Sequence, residues 1–96
     1  MIIHIALFKW RTGVSEEEIV RVMGEIQSLK EKINEVTELY CGKNFSKWSK
    51  NYTHAVIVKV KDREALEAYR SHPLHLPVAK RMEELEEDSI GIDVEI

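Results

Sequence analysis

Residues 2 to 10, Ile-Ile-His-Ile-Ala-Leu-Phe-Lys-Trp, are apolar on both alternating sets and rich in β-branched and aromatic types. That pattern predicts a strand covered on two sides. Arg-Thr-Gly-Val at 11–14 follows as a turn. Ser15 with Glu18 three residues later forms a capping-box signature and predicts a helix running to about Asn34. Its apolar residues Ile19, Val22, Met23, Ile26, Leu29 and Ile33 recur at spacings of three and four, which makes one stripe. Gly24 inside it costs about 1 kcal/mol relative to alanine, and nothing in the sequence accounts for it.

A weaker strand pattern covers 36–45, and a polar loop covers 46–51. A third strand spans 52–61, with the two-sided apolar run Ala55-Val56-Ile57-Val58. Asp62 caps a short helix carrying Leu66 and Tyr69. Ser71-His72-Pro73 breaks it, because a residue preceding proline is driven out of the α region. A second helical piece, opening near Leu74 or Pro77, runs to Glu87 with Val78, Met82 and Leu85 on one side. The acidic run from Glu83 to Asp88 is then expected at a helix C-terminus, on a solvated face. Ile90, Ile92, Val94 and Ile96 alternate with Gly91, Asp93 and Glu95 as a last strand.

The order strand, helix, strand, strand, helix, strand is that of an α+β, ferredoxin-like βαββαβ subunit. It implies an antiparallel sheet with its helices on one face. Helices on one side leave the other side of the two-faced strands bare. An open apolar face of that size exceeds what monomers usually expose. The expected partner is a second copy, giving a homodimer through the sheet face.

Composition narrows the function classes. The 96 residues are 44% hydrophobic, which excludes a disordered chain and fits a single domain over 1–96. Fourteen Lys and Arg against 17 Asp and Glu give a net charge of −3, so no nucleic-acid partner is expected. The single cysteine, Cys41, excludes an internal disulfide and reads as a small buried hydrophobe rather than a nucleophile. No apolar run approaches a membrane span. The N-terminal residues do not resemble a signal peptide, so a cytoplasmic location is expected.

Candidate chemistry concentrates in the four histidines and in Tyr69-Arg70-Ser71-His72-Pro73-Leu74-His75. His4 shares a strand face with Ala6 and Phe8, and His54 shares one with Val56 and Val58. On spacing alone these are core histidines or the lining of a shared pocket. A tyrosine and a histidine side by side supply a hydrogen-bond donor and a base for acid–base catalysis. The plainer reading of that segment is a core tyrosine followed by a helix break. His72 is a further candidate for contacting substrate. A metal site has little support and no cofactor motif is present. Lysines 43, 47, 50, 59 and 61, interleaved with Phe45, Trp48 and Tyr52, read first as a solvated hairpin, with a grip for single-stranded nucleic acid or a guide for an anionic small molecule as the alternatives.

His4, Tyr40-Cys41-Gly42-Lys43-Asn44, Tyr52-Thr53-His54 and Tyr69-x-x-His72-Pro73-x-His75 stand in that order. In these residues, and over essentially its whole length, the chain resembles the stress-responsive A/B-barrel (Dabb) family. The resemblance implies a ferredoxin-like subunit paired into a dimeric α+β barrel. One plant branch of the family consists of polyketide cyclases, which close a poly-β-ketoacyl chain by aldol condensation. By that resemblance Tyr69 and His75 are the acid–base pair and His4 and His54 line the pocket. The substrate implied is a small hydrophobic carbonyl compound. Two alternatives stand beside it: a non-catalytic dimer that binds a small ligand, and a monooxygenase-like α+β barrel enzyme.

Overall fold

In the computed structural model, which describes residues 1–96, four strands form one antiparallel sheet. They are β1 (Ile2–Trp10), β2 (Val36–Lys43), β3 (His54–Val60) and β4 (Glu86–Glu95), in the spatial order β2-β3-β1-β4. Helices α1 (Glu16–Ser28), α2 (Arg63–Arg70) and α3 (His75–Leu85) cover one face.

The helix starts follow the caps in the sequence. Ser15 Oγ accepts the Glu18 backbone N–H and the Glu18 carboxylate accepts the Ser15 N–H, closing the capping box. Asp62 accepts the Ala65 N–H at 2.8 Å and opens α2. Pro77 is the third residue of α3, where a missing N–H costs nothing because the first turn lacks intrahelical partners anyway. Helix α1 is shorter than its apolar stripe predicts. It ends at Ser28 and tightens into a 3₁₀ turn, Leu29–Glu31, that buries Leu29 and Ile33 while turning the chain toward β2. Gln27, at its end, donates to the Leu39 carbonyl and accepts the Cys41 N–H. One side chain thus occupies hydrogen-bonding groups that the edge strand β2 would otherwise leave open.

Strand boundaries also differ from the sequence expectation. Strand β4 begins at Glu86, so Glu86, Glu87 and Asp88 belong to a strand and not to a helix C-terminus. The cause is long-range pairing: Trp10 registers with Glu86, Lys9 with Asp88, and the Arg11 N–H reaches the Leu85 carbonyl at 2.9 Å. Strand β2 stops at Lys43 and β3 starts at His54. The loop between them turns through Lys50 and Asn51, both in the left-handed region at φ 52° and 70°. Phe45 and Trp48 on that loop are exposed.

Register decides which side chains face the helices. On the helix side the rungs are Asp93–His4–Val58–Leu39, Gly91–Ala6–Val56–Cys41 and Ser89–Phe8–His54–Lys43. Val56, Val58 and Leu39 pack there with Val22, Ile26 and Leu29 as the main core. On the opposite side the rungs are Val94–Ile3–Lys59, Ile92–Ile5–Ile57–Tyr40 and Ile90–Leu7–Ala55–Gly42. No helix covers this second face, and Ile57, Ile90, Ile92 and Val94 are exposed on it.

Gly24 is exposed on α1, and a Cβ placed on it meets no atom within 4 Å. Its helical backbone therefore carries the glycine penalty with no packing return. Gly24→Ala is expected to stabilise the fold by about 1 kcal/mol, raising the melting temperature by roughly 4–8 °C. Thermal unfolding at matched protein concentration checks this. An unchanged or lowered midpoint contradicts it.

Candidate active site

The cavity arises where the sheet carries its smallest side chains. Ala6 pairs with Gly91 in the middle of the helix-facing side. A Cβ on Gly91 would still find no atom within 4 Å. Above this shallow rung, between the sheet and α1, α2 and α3, lies a cavity of about 430 Å³. Phe8, Ile26, Val56, Val78 and Met82 supply its apolar walls. His4, Tyr69, Arg70 and His75 meet at it.

Tyr69 projects from α2 and is 3% exposed, yet its hydroxyl has no hydrogen-bond partner within the chain and is not sealed from the cavity. Burial pushes its pKa up to about 12, with the neighbouring Cys41 thiol a smaller contribution. The phenol therefore stays protonated and serves as a donor at any ordinary pH. His75, the first residue of α3, stacks obliquely on Tyr69 with ring centroids 4.5 Å apart. Its Nδ1 lies 2.9 Å from the Arg70 carbonyl. A carbonyl only accepts, so Nδ1 carries the proton and Nε2 is left as a free base. Burial holds this imidazole below its usual pKa, and the charges of His4, Arg70 and His72 act in the same direction against the Arg70 carbonyl.

His4 lies 6.4 Å from Tyr69 by ring centroids. Its Nδ1 donates to the Asp93 carboxylate at 2.5 Å, which leaves Nε2 for the cavity. Arg70 donates to the other Asp93 oxygen at 2.5 Å and to Glu67 at 3.4 Å. One carboxylate thus fixes an imidazole and a guanidinium at the same end of the cavity.

His54 and His72 stand apart from this group. His54 faces the helix side of the sheet but does not line the cavity. Its Nδ1 accepts the Trp10 indole N–H at 2.9 Å, with Thr53 Oγ1 at the same distance. Since indole only donates, Nδ1 is unprotonated and the ring is neutral. Burial lowers its pKa in keeping with that. His72 organises the start of α3: its Nδ1 accepts the Leu74 N–H and its carbonyl accepts those of His75 and Leu76. Cys41 packs against the core, and burial raises its thiol pKa to about 11. No three of the His, Cys, Asp and Glu side chains gather at metal-binding spacing.

Comparison with known proteins decides the family. The family model described as Stress responsive A/B Barrel Domain matches residues 2–96. The chain belongs to that family. A curated A/B barrel relative, the stress-response A/B barrel domain-containing protein DABB1 of Arabidopsis thaliana, is 30% identical over 99 residues. The match takes in 94% of this chain and 44% of the relative, so the chain spans under half of that protein's length. Among solved structures, a dimeric protein of unknown function and ferredoxin-like fold from Bacteroides fragilis superposes with a TM-score of 0.80. It is 26% identical, with 99% of this chain and 95% of that one covered. A hydroxynitrile lyase from Passiflora edulis superposes at 0.91 with 17% identity, covering 99% and 92%, which is a likeness of fold.

Within this A/B barrel domain the sequence reading reached His4, Tyr69 and His75 and missed Asp93, Glu83, Glu86 and Ser89. Strand alternation puts Asp93 on the same face as Gly91 and Glu95, but only the β1–β4 register places it against His4. Arg70 lies inside the flagged cluster, and its position at the cavity follows from the same pairing.

Two half-buried or buried histidines, His54 and His75, are held below the ordinary value of 6.5. In the unfolded chain both protonate near 6.5, while the folded state resists until lower pH. Between those values the unfolded state binds more protons, so stability is full above 6.5 and declines as pH falls below it. Urea midpoints should therefore drop between pH 7.5 and 5.5. A flat or rising midpoint over that range contradicts the assignment.

Proposed function

We propose that the cavity performs general acid–base chemistry on a small carbonyl compound, with His75 as base and Tyr69 as hydrogen-bond donor, in a homodimer joined through the bare sheet faces. The observation that carries the catalytic part is the unpartnered Tyr69 hydroxyl beside an imidazole whose free nitrogen is Nε2. His75 Nε2 takes a proton from a carbon next to a carbonyl. The C–H electron pair becomes the enolate double bond, and the carbonyl π pair moves onto oxygen. Tyr69 donates a hydrogen bond to that oxygen, and the Arg70 cation at the same wall lowers the cost of its charge. His4, fixed by Asp93, orients the substrate. In a polyketide-like substrate the enolate carbon then attacks a second carbonyl of the same chain. The new alkoxide recovers the proton from the His75 imidazolium.

The dimer rests on the uncovered face. Ile3, Ile5 and Leu7 of β1 are flanked there by Ile57 and by Ile90, Ile92 and Val94. A contiguous apolar surface of this kind favours association, and the Bacteroides fragilis protein of the same fold is dimeric.

Two tests separate the parts. Deuterium exchange at the methylene of a β-keto ester, followed by NMR, is expected to fall roughly 10²–10⁴-fold in His75→Ala and roughly 10²–10³-fold in Tyr69→Phe. Because His75 must be neutral to act and burial lowers its pKa, the wild-type rate should fall to half of its plateau only at a pH below the ordinary 6.5 of histidine. Rates equal to wild type in both variants refute the catalytic reading. For the dimer, light scattering should give twice the 11.2 kDa chain mass. Ile5→Glu, at the centre of the face, should return a monomer, and a wild-type monomer at micromolar concentration refutes the pairing.

A further inference from the structure

The cavity has two chemically different ends, and their separation can be measured along two independent rulers. On β1, His4 and Phe8 both line it, four residues apart, which is about 13 Å at the rise of a strand. On α3, His75 and Glu83 both line it, eight residues apart, which is about 12 Å at the rise of a helix. The end marked by His4 and His75 is the one described above, where Asp93 is compensated by His4 and Arg70. The other end is marked by Glu83 on α3 and by Glu86 and Ser89 on β4, which pairs there with Trp10 and Phe8. Between the ends the walls are apolar.

The two carboxylates at the far end have no ion-pair partner. Arg11 donates its Nε–H to the backbone carbonyl of Glu86 at 2.9 Å and not to the carboxylate. Glu86 is half-buried and Glu83 exposed, so this end is also an opening to solvent. It lies at the C-terminus of α3, where the helix dipole adds negative potential and favours a cation. Burial raises the Glu86 carboxyl pKa, and the charges of Glu83 and Asp88 act in the same direction against the Ser89 hydrogen bond and the charge of Arg11. That this space receives a ligand at all is indicated independently by Tyr69. Tyr69 is 3% exposed and lines the same cavity, and its hydroxyl has no partner in the chain and is not sealed off.

We infer that the cavity selects carbonyl compounds bearing an ammonium or other hydrogen-bond-donating group that reaches Glu83 and Glu86, about 12 Å from the reactive end, and that it rejects those ending in a carboxylate or phosphate. The inference rests on the proposed function for which end is reactive. The discrimination itself depends only on the carboxylates. A substrate held this way has its carbonyl beside Tyr69 and His75, an apolar middle against Phe8, Val78 and Met82, and a cationic or hydroxylated tail at the opening. Like-charge repulsion in a half-buried opening makes an anionic tail costly.

The experiment uses four 4-arylbutan-2-ones that differ only in the para substituent: aminomethyl, hydroxymethyl, methyl or carboxylate. Their affinities for the intact protein are measured by calorimetry at pH 7.5 and moderate salt. The aminomethyl compound is expected to bind at least about tenfold more tightly than the carboxylate. In Glu83→Gln with Glu86→Gln the two should come within about twofold. Glu17→Gln with Glu31→Gln removes the same charge elsewhere and should keep the full preference, which separates the opening from the overall net charge. Glu83→Gln alone, on an exposed residue, should give an intermediate loss and covers the case in which the double variant folds poorly. Equal binding of the cationic and anionic compounds, no binding of any compound, or a preference that survives the double substitution overturns the proposal. His75→Ala should retain the binding preference. If it also retains proton exchange, the catalytic reading fails while this one stands.

Discussion

The antiparallel register between β1 and its two neighbours is the constraint from which the rest of the molecule follows. Strand side chains alternate with period two, so a one-residue slip would exchange the whole content of the two faces. In the observed register, Ala6 pairs with Gly91 and opens a space under α3, and His4 pairs with Asp93 at one end of that space. Ser89 pairs with Phe8 at the other end. A slip would turn Ile3, Ile5 and Leu7 toward the helices and fill the space with aliphatic side chains. It would also carry His4 onto the uncovered face. The capping box at Ser15, the Asp62 cap, the Gln27 clasp and the 3₁₀ turn hold the helices over the correct side, but none of them makes the cavity.

The polar groups around that cavity are arranged so that their roles differ although their types repeat. Four histidines occupy four distinct electrostatic settings. His4 donates to a carboxylate, His54 accepts from an indole, His72 accepts the Leu74 N–H at the start of a helix, and His75 donates to a backbone carbonyl. Only His4 and His75 retain a second ring nitrogen next to the open space. The tautomer of each follows from what its Nδ1 partner is able to give or take. Tyr69 completes the set through the absence of a partner. A buried hydroxyl without one costs on the order of 1–3 kcal/mol when it is dry, and its opening onto the cavity relieves that cost.

The two faces of the sheet divide the apolar residues between two tasks. One set, with Leu39, Val56, Val58 and the stripe of α1, forms the core that supports the cavity. The other set, centred on the Ile92–Ile5–Ile57 rung, lies on a surface with no helix above it. The reactive centre and the bare face are therefore opposite sides of the same strands, and a side chain at an odd position of β1 lies next to, but not within, the site. This makes the packing of one face and the chemistry of the other separable by substitution.

Local patterns in the sequence were sufficient for the element order, the caps at Ser15 and Asp62, the helix break before Pro73 and the two-sided character of β1 and β3. Each is settled by residues within a turn or a strand of one another, where sterics and short-range hydrogen bonds decide the outcome. The His-Pro segment was also legible, because proline ends one helix and starts the next in a way that puts Tyr69 and His75 side by side. The early start of β4 was not legible, since Glu86–Asp88 is extended only because Lys9 and Trp10 pair with it from the far end of the chain. The same holds for Asp93 and Arg70 meeting His4, for His54 being claimed by Trp10, and for the two carboxylates at the opening. The hydrogen bonds of Asp93 to His4 and Arg70, and of Trp10 to His54, join residues from 23 to 89 positions apart. Local patterning sets which elements form and which faces are apolar. The strand register alone decided which polar side chains share a cavity, because pairing between distant strands, not local propensity, fixes who lies opposite whom.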